Sequence, residues 1–256
     1  GLETPRRRSS AVRALVFQSR AHAMGEAMKL TYFAVMAKGL GPALVCEFSG
    51  LPWKGPKDLG FTVEGWGDLK ASGKCPFGQL PLLEVDGLNL GQCIAIVNYI
   101  GKKAGTEGKN PEEFAMSQML LAEAEDLYNA LQKICPTIKV PLEKKGDLAS
   151  FKKLWSETVP AHFSKLELLL GDKPAFTSTG QVVGELYLWS MLHQMKLVKD
   201  DIFAATPKLE SFYSTLAEEP RVKTLLSGES TYGPWKQYFI SPPSEEESSS
   251  GGCSIC

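Results

Sequence analysis

The sequence predicts an α/β domain followed by an all-helical domain, and three observations support this division. Runs rich in β-branched and aromatic residues are confined to the first third of the chain, beginning with Leu30–Phe33. Two further short apolar runs flank Asp86-Gly87, the strongest two-residue hairpin signal in the sequence. From Asn110 onward the strand signals end and apolar residues recur at helical spacing.

The predicted boundary between the domains lies near residue 105. A helix follows the hairpin, and Gly101, Gly105 and Gly108 interrupt its pattern, so we place the first domain at residues 28–105. Asn110-Pro111 then has the residues of a helix N-cap and first helical position. Several apolar helical faces follow, and we place the all-helical domain at residues 110–240.

The composition favours small molecules or proteins as partners. Of the 256 residues 43% are hydrophobic, which is enough for one large core or two modest ones. The 28 Lys and Arg residues nearly balance the 29 Asp and Glu residues, so no overall basic field exists to attract nucleic acid. The scattered cysteines of a chain this long indicate a reducing compartment.

The first 27 residues have a leader-like composition. They are rich in Arg and contain only Glu3 and Glu26 as acids, which suits an organelle transit segment. The alternative is a plain extension before a cytosolic start at Met24 or Met28, and that is our expectation. We therefore predict a cytoplasmic protein.

Residues 241–256 are rich in Ser, Glu, Gly and Pro and are predicted to form a disordered tail. The tail closes with Cys253-Ser254-Ile255-Cys256, which fits a prenylation pattern. The preceding Glu245–Glu247 would repel an anionic membrane, and a single lipid anchors weakly. A free Cys-x-x-Cys tail is the expectation, ahead of a membrane tether through Cys253.

Pro81 interrupts what otherwise reads as a strand, since proline has no N–H for the ladder. One interpretation is an edge strand or a bulge. The other is a cis Leu80–Pro81 bond that leaves the Leu80 backbone free to pair with an extended peptide ligand.

Four segments in order carry a family resemblance. They are Lys29–Phe33 (KLTYF), Trp66–Lys70 (WGDLK), Pro76–Gly87 (PFGQLPLLEVDG) and Gln92–Ile100 (QCIAIVNYI). Together they resemble the glutathione S-transferase family, and KLTYF is most similar to its tyrosine-type, sigma-like branch. The resemblance runs from about Met28 to about Leu226. It implies a thioredoxin-like βαβαββα domain followed by an all-helical domain, with glutathione as cosubstrate, a hydrophobic electrophile as second substrate, and a homodimer.

Tyr32 occupies the position of the family's catalytic tyrosine. A thiol with a pKa of about 8.5 is mostly protonated at neutral pH, and a phenol within hydrogen-bond reach stabilises the thiolate. Lowering that pKa by two units takes about 2.7 kcal/mol, which one well-placed donor and helix dipoles supply. A strand tyrosine alone is usually a packing residue, and the motifs around Tyr32 favour catalysis.

The resemblance also implies a set of glutathione-binding residues. Trp66 and Lys70 supply an indole N–H and an ammonium for the glycine carboxylate, although an amphipathic surface helix with an anchoring Trp explains them equally well. Glu123 lies where relatives place an acid that reaches the glutathione amine of the neighbouring subunit. The remaining positions hold the peptide backbone or the γ-glutamyl carboxylate: Gln79, Leu80, Pro81, Gln92 and Cys93.

Three departures from the family pattern bear on activity. Relatives usually have Ser at the Cys93 position. The sequence therefore leaves open how tightly glutathione binds and whether Cys93 forms a mixed disulfide with it. Met36–Leu40 replaces a run that contains an Arg and an acid, so the charge near Tyr32 is missing or moved to Lys38. Val182 stands where a capping hydroxyl is usual, and its loss is expected to cost around 1 kcal/mol of stability.

Two function classes follow from these residues. The leading one is an enzyme that activates glutathione for conjugation, isomerisation or reduction of hydrophobic electrophiles. The alternative is a binding or scaffold protein that keeps the fold with little or no turnover, which Met36, Leu40 and Cys93 favour. No metal site is predicted, because the three histidines have no partners at ligand spacing.

Overall fold

The computed structural model describes residues 26–242. The expectations for the leader-like extension and for the tail with Cys253 lie outside the described residues. No helix within residues 26–242 combines the length and the apolar character needed to cross a membrane.

The first part of the described chain contains a four-stranded sheet. Its strands are β1 (Met28–Thr31), β2 (Trp53–Lys54), β3 (Leu82–Val85) and β4 (Leu88–Leu90). Their order is β2-β1-β3-β4, with β1 parallel to β2 and antiparallel to β3. Leu30 pairs with Leu83 and both side chains are fully buried, so apolar contacts hold the centre of the sheet.

The predicted hairpin is confirmed. Val85 pairs with Leu88 across the turn. Asp86 and Gly87 both have positive φ, at +50° and +77°, as the favoured two-residue hairpin turn requires.

Pro81 ends the pairing of β1 with β3. The last pair is Thr31 with Leu82, so the next residues in register are Tyr32 and Pro81, where proline has no N–H to donate. Tyr32 and Phe33, expected within the first strand, therefore lie just beyond it. The Leu80–Pro81 bond is cis, which was one of the two interpretations of the sequence.

Helices flank the sheet in the first part of the chain. They are α1 (Leu40–Phe48), α2 (Pro56–Leu59), α3 (Trp66–Ala71) and α4 (Cys93–Ala104). The first of the three glycines does not break α4, which continues to Gly105 in the left-handed conformation. A Cβ on Gly101 would lie 2.6 Å from Cγ1 of Val183, so this glycine allows close packing instead.

Beyond β4 the described residues form helices, turns and two isolated bridges, which confirms the predicted all-helical second part. The longest helix, α5, begins at Pro111 with the Asn110 side chain accepting the Glu113 N–H, as predicted. The elements are α5 (Pro111–Ile134), a 3-10 turn (Leu142–Lys144), α6 (Leu148–Lys153), a π turn (Leu154–Thr158), α7 (Val159–Leu170), α8 (Val183–Val198), α9 (Pro207–Ala217) and α10 (Pro220–Ser227).

The backbone N–H groups at the start of α8 find acceptors on the side chains of Glu185 and Ser117. The Glu185 carboxylate is fully buried and accepts the Val182 N–H at 3.1 Å and the Thr177 hydroxyl at 2.7 Å. The Ser117 hydroxyl of α5 accepts the Gly184 N–H at 3.0 Å. The capping hydroxyl that Val182 lacks is thus supplied across the helix interface, which offsets the expected loss of stability.

A segment that we call the C-terminal strap, residues 229–242, returns to the end of β1. The Lys236 N–H donates to Ala34 O and the Met36 N–H donates to Lys236 O, both at 3.0 Å. The Tyr232 hydroxyl donates to Phe33 O at 2.8 Å. The backbone that follows β1 is therefore held from the far end of the described chain.

We expect Ser117→Ala to lower the free energy of unfolding by about 1 to 3 kcal/mol, because the Gly184 N–H would be left buried without its acceptor. Chemical denaturation measures the change. Ser164→Ala is the matched control, since Ser164 is exposed and bonds only within its own helix, to Pro160 O. Its effect should stay within about 0.5 kcal/mol. Equal losses in both variants would contradict the role of Ser117.

Candidate active site

A cleft of about 520 Å³ opens where the end of β1 faces α5. Phe33, Lys38, Glu125 and Asn129 form part of its wall. Among the sequence-predicted site residues, all but Lys70 and Glu123 line it: Tyr32, Trp66, Gln79, Leu80, Pro81, Gln92 and Cys93.

Tyr32 lies one residue beyond β1, with 8% of its surface exposed. Its hydroxyl oxygen accepts the Lys38 N–H at 3.4 Å. Burial raises the pKa of Tyr32, so the phenol keeps its proton at ordinary pH and can donate it in a hydrogen bond. A Cβ on Gly39 would lie 2.5 Å from Cδ1 of Tyr32 and 2.3 Å from the Tyr232 hydroxyl, so only glycine fits beside the ring.

A charged pair stands next to Tyr32. The Lys38 ammonium lies 2.6 Å from both oxygens of the Glu125 carboxylate and 3.8 Å from the centre of the Tyr128 ring. The structure thus contains the Lys38 charge that the sequence offered as a replacement for the family's Arg. Glu125 was missed, although its spacing between Leu121 and Tyr128 on the inward face of α5 was a readable signal.

The segment before β3 forms another wall of the cleft. Pairing of β3 begins at Leu82, so the Leu80 backbone lies beyond the last pair with β1 and faces the cleft. Phe77, in the same segment, also lines the cleft and is 66% exposed. This wall presents both unpaired backbone and an apolar side chain.

The turn from β4 into α4 supplies an anion-binding end. Gln92 precedes the helix with φ at +67°, a conformation that costs a non-glycine residue of order 1 to 3 kcal/mol and is concentrated at functional sites. The first N–H groups of the 12-residue α4 have no intrahelical acceptors, and its first residues, Cys93 and Ile94, line the cleft. A carboxylate is the natural ligand for that end.

The Cys93 thiol is enclosed at the start of α4. It is 7% exposed and its Sγ donates to Lys38 O at 3.4 Å. Burial raises the pKa of this thiol to about 11. A thiol in that state is a poor nucleophile, which argues against the mixed disulfide left open by the sequence.

Lys70 and Glu123 lie outside the cleft. Lys70 is exposed on α3 with its ammonium 6.0 Å from the Trp66 ring centre, and its Cε packs near Gly78 at the mouth of the cleft. Glu123 contacts His162, with its Oε1 2.6 Å from Nδ1 of that ring. The chain therefore brings Lys70 to the rim, whereas Glu123 has no contact with the cleft of its own chain.

These features suit an extended anionic ligand with a reactive thiol. A neutral phenol can donate to a developing thiolate. The α4 terminus can hold one carboxylate, and the indole N–H of Trp66 with the Lys70 ammonium can hold a second at the rim.

Comparison with known proteins adds an independent finding. A family model described as "Glutathione S-transferase, C-terminal domain" matches residues 129–229. Glutathione S-transferase 1 of Ascaris suum is 32% identical over 200 residues, which cover 76% of this chain and 93% of that protein. Hematopoietic prostaglandin D synthase of Gallus gallus is 28% identical over 77% of this chain and 90% of that protein. The crystal structure of the glutathione S-transferase from Ascaris lumbricoides aligns with a TM-score of 0.65 at 29% identity, covering 77% of this chain and 95% of that chain.

We expect Cys93 to react with iodoacetamide at pH 8 about 100-fold or more slowly than an ordinary cysteine, because a raised pKa leaves far less thiolate. The rate should rise with pH until the thiol ionises near pH 11. Mass spectrometry of the labelled peptide measures it. The control is the same cysteine in denaturant, which should react at the ordinary rate. Rapid labelling of native protein at pH 8 would count against the enclosed thiol.

Proposed function

The chain belongs to the glutathione S-transferase family, and on that premise we propose that the cleft binds glutathione and activates its thiol for attack on hydrophobic electrophiles. The observation that carries this proposal is the buried, protonated Tyr32 hydroxyl at the cleft that the predicted glutathione-binding residues line. Residues 28–105 are the proposed glutathione-binding domain and residues 110–240 the proposed helical domain of a cytoplasmic enzyme.

The proposed chemistry needs one proton to leave the glutathione thiol, and that proton passes to bulk water. Tyr32 does not take that proton, because it already carries its own. Its hydroxyl instead donates a hydrogen bond to the thiolate that remains, which lowers the pKa of the bound thiol. The Lys38 N–H, bonded to the same phenol oxygen, strengthens Tyr32 as a donor.

Binding is proposed to depend mainly on groups away from Tyr32. Trp66 and Lys70 hold the glycine carboxylate at the rim, and Gln92 with the start of α4 holds the γ-glutamyl carboxylate. The Leu80 backbone pairs with the peptide in extended form, beside Gln79 and Pro81.

The charged pair of Lys38 and Glu125 favours the enzyme over the scaffold alternative. The scaffold interpretation rested on Cys93 and on Met36 and Leu40, where the charge beside Tyr32 is missing. A charge is present at Lys38, within the loop that contacts the Tyr32 hydroxyl. Tyr32 within KLTYF supports the tyrosine-type, sigma-like branch. The relatives include named transferases and a prostaglandin D synthase, so conjugation and isomerisation are both proposed reaction classes.

Calorimetry with glutathione, followed by a conjugation assay with a generic aromatic halide, tests the proposed function. Binding with turnover supports the enzyme. Binding without turnover would favour the scaffold alternative, and the lack of binding would overturn the proposed enzyme.

We expect Tyr32→Phe to lower turnover near neutral pH by roughly 10- to 1000-fold, the range given by about 1.4 to 4 kcal/mol for one such donor. Glutathione affinity should change little, since most proposed contacts lie elsewhere. Enzyme kinetics from pH 6 to 8 and calorimetry measure the two effects.

Tyr99→Phe is the matched control, because its hydroxyl bonds Asp86 on the outer side of α4, away from the cleft. That variant should keep full turnover. If Tyr32→Phe matches the wild type across the pH range, Tyr32 is a packing residue.

We propose a homodimer in which each chain inserts Phe77 into its partner. Phe77 is 66% exposed, and a pocket of about 270 Å³ lies between α5 and α7, lined by Met119, Glu123 and Leu166 among others. Leu168 nearby is 81% exposed. A two-fold arrangement covers both surfaces in one self-complementary interface. Since Phe77 lines the cleft, it would also bring Glu123 toward the cleft of the partner.

We expect Phe77→Ser to shift the protein toward monomers at micromolar concentration, because the variant loses the apolar side chain that anchors the interface. Light scattering measures the mass. Leu197→Ser is the control, since Leu197 is 43% exposed at the end of α8 and lines neither the cleft nor the α5–α7 pocket. A wild type that is strictly monomeric would overturn the dimer.

A further inference from the structure

The loop between β1 and α1 positions the Tyr32 hydroxyl. We call Met36–Gly39 the tyrosine loop, because its Lys38 N–H donates to the Tyr32 oxygen. That contact is long, at 3.4 Å, so small shifts of the loop decide whether it exists. Ala37 has φ at +25°, outside the range that alanine prefers. A loop with such a residue keeps its shape only when its surroundings hold it.

Gln194 of α8 holds the tyrosine loop directly. It is 3% exposed, and its Nε2 donates to Ala37 O at 3.1 Å and to Ser190 O at 3.3 Å. Its Oε1 is buried and has no hydrogen-bond partner within residues 26–242. An unsatisfied buried acceptor lowers stability, so packing of α8 alone does not explain a glutamine at this position. The contact with Ala37 is what the glutamine contributes.

Tyr187 of α8 holds the same loop through one intermediary. Its hydroxyl donates to Glu125 Oε1 at 2.6 Å, and Glu125 binds the Lys38 ammonium. Tyr187 lies two turns before Gln194 on α8, so both side chains leave the helix on the same face. A Cβ on Gly41 would lie 2.4 Å from the Tyr187 ring, which shows how closely α1 approaches this face.

We propose that Gln194 and Tyr187 are positioning residues for Tyr32, which fix Ala37 and Lys38 so that the Lys38 N–H remains aimed at the phenol oxygen. The inference rests on the proposed function of Tyr32 as the thiol activator. Without the two contacts the Ala37 backbone relaxes and the Lys38 N–H moves away. Tyr32 then becomes a weaker donor to the thiolate, while Trp66, Lys70 and Gln92 are untouched.

Gln194→Leu separates this role from ordinary packing. We expect turnover to fall by about 10-fold, in line with the sensitivity of catalysis to small displacements. The KM for glutathione should stay within about twofold, because the variant removes no binding contact. Stability should stay close to that of the wild type, because removing the unsatisfied oxygen offsets the loss of the bond to Ala37 O. A structural role would instead give lower stability with unchanged turnover per folded molecule, and that result would overturn the proposal.

Gln118→Leu is the matched control. Gln118 is a half-buried glutamine on α5 that bonds Asn98 of α4 at 2.9 Å and has no contact with the tyrosine loop. Its turnover should equal that of the wild type. Tyr187→Phe removes only a hydroxyl and provides the second test should Gln194→Leu fail to fold. It should reduce turnover in the same direction with the same unchanged KM.

Hydrogen exchange of the tyrosine loop, followed by mass spectrometry, tests whether Gln194 and Tyr187 hold the loop. This test does not rely on activity. Exchange at Lys38 and Gly39 should accelerate in both α8 variants and stay unchanged in Gln118→Leu. Unchanged exchange in both α8 variants would overturn the proposal even in an active enzyme. Faster exchange with wild-type turnover would show that the loop moves without affecting Tyr32, and would also overturn it. A wild type that binds no glutathione refutes the proposed function, and the exchange result still decides whether α8 holds the loop.

Discussion

The absence of an N–H at Pro81 is the constraint on which the site depends. Tyr32 follows the last paired residue of β1 and lies opposite that proline. The hydrogen-bond ladder between β1 and β3 therefore does not include it. The ring is free to turn into the cleft, while its backbone lacks the support that a strand would give. Phe33 O instead accepts the Tyr232 hydroxyl, and the strap pairs with Ala34 and Met36. Because Tyr32 lies outside the sheet, contacts from distant parts of the chain hold the backbone that follows it.

Those contacts make the helical part of the chain a component of the site. Glu125 and Asn129 of α5 line the cleft directly, and α8 contacts the tyrosine loop. The sheet part contributes Tyr32, Gln92 and the segment around Leu80. A cleft assembled from both parts exists only when they are packed together, so loosening their interface should reduce the function before it unfolds the protein.

The sequence predicted the features that depend on neighbouring residues. The Asp86-Gly87 turn and the Asn110 cap follow from local chemistry, whereas the order of strands and helices in the first domain was implied by the family resemblance. The missed features join residues that are far apart in sequence, such as Lys38 with Glu125 and Gln194 with Ala37, which are 87 and 157 positions apart. Neighbouring acids of α5 also contact different partners, since two positions on a helix differ by about 200° in direction. Glu123 faces His162 and Glu125 faces Lys38.

One helix, α8, both stabilises the fold and positions residues of the site. Its N-terminal turn is fixed by the buried Glu185 carboxylate and by Ser117, and nearly every later residue is buried. A helix held in this way has little freedom to shift, so side chains on it place their partners accurately. Tyr187 and Gln194 extend that accuracy to the tyrosine loop, in which Ala37 has a strained backbone. The contacts that fix the position of Tyr32 thus depend on the hydrogen bonds at the N-terminus of α8, in the helical part of the chain.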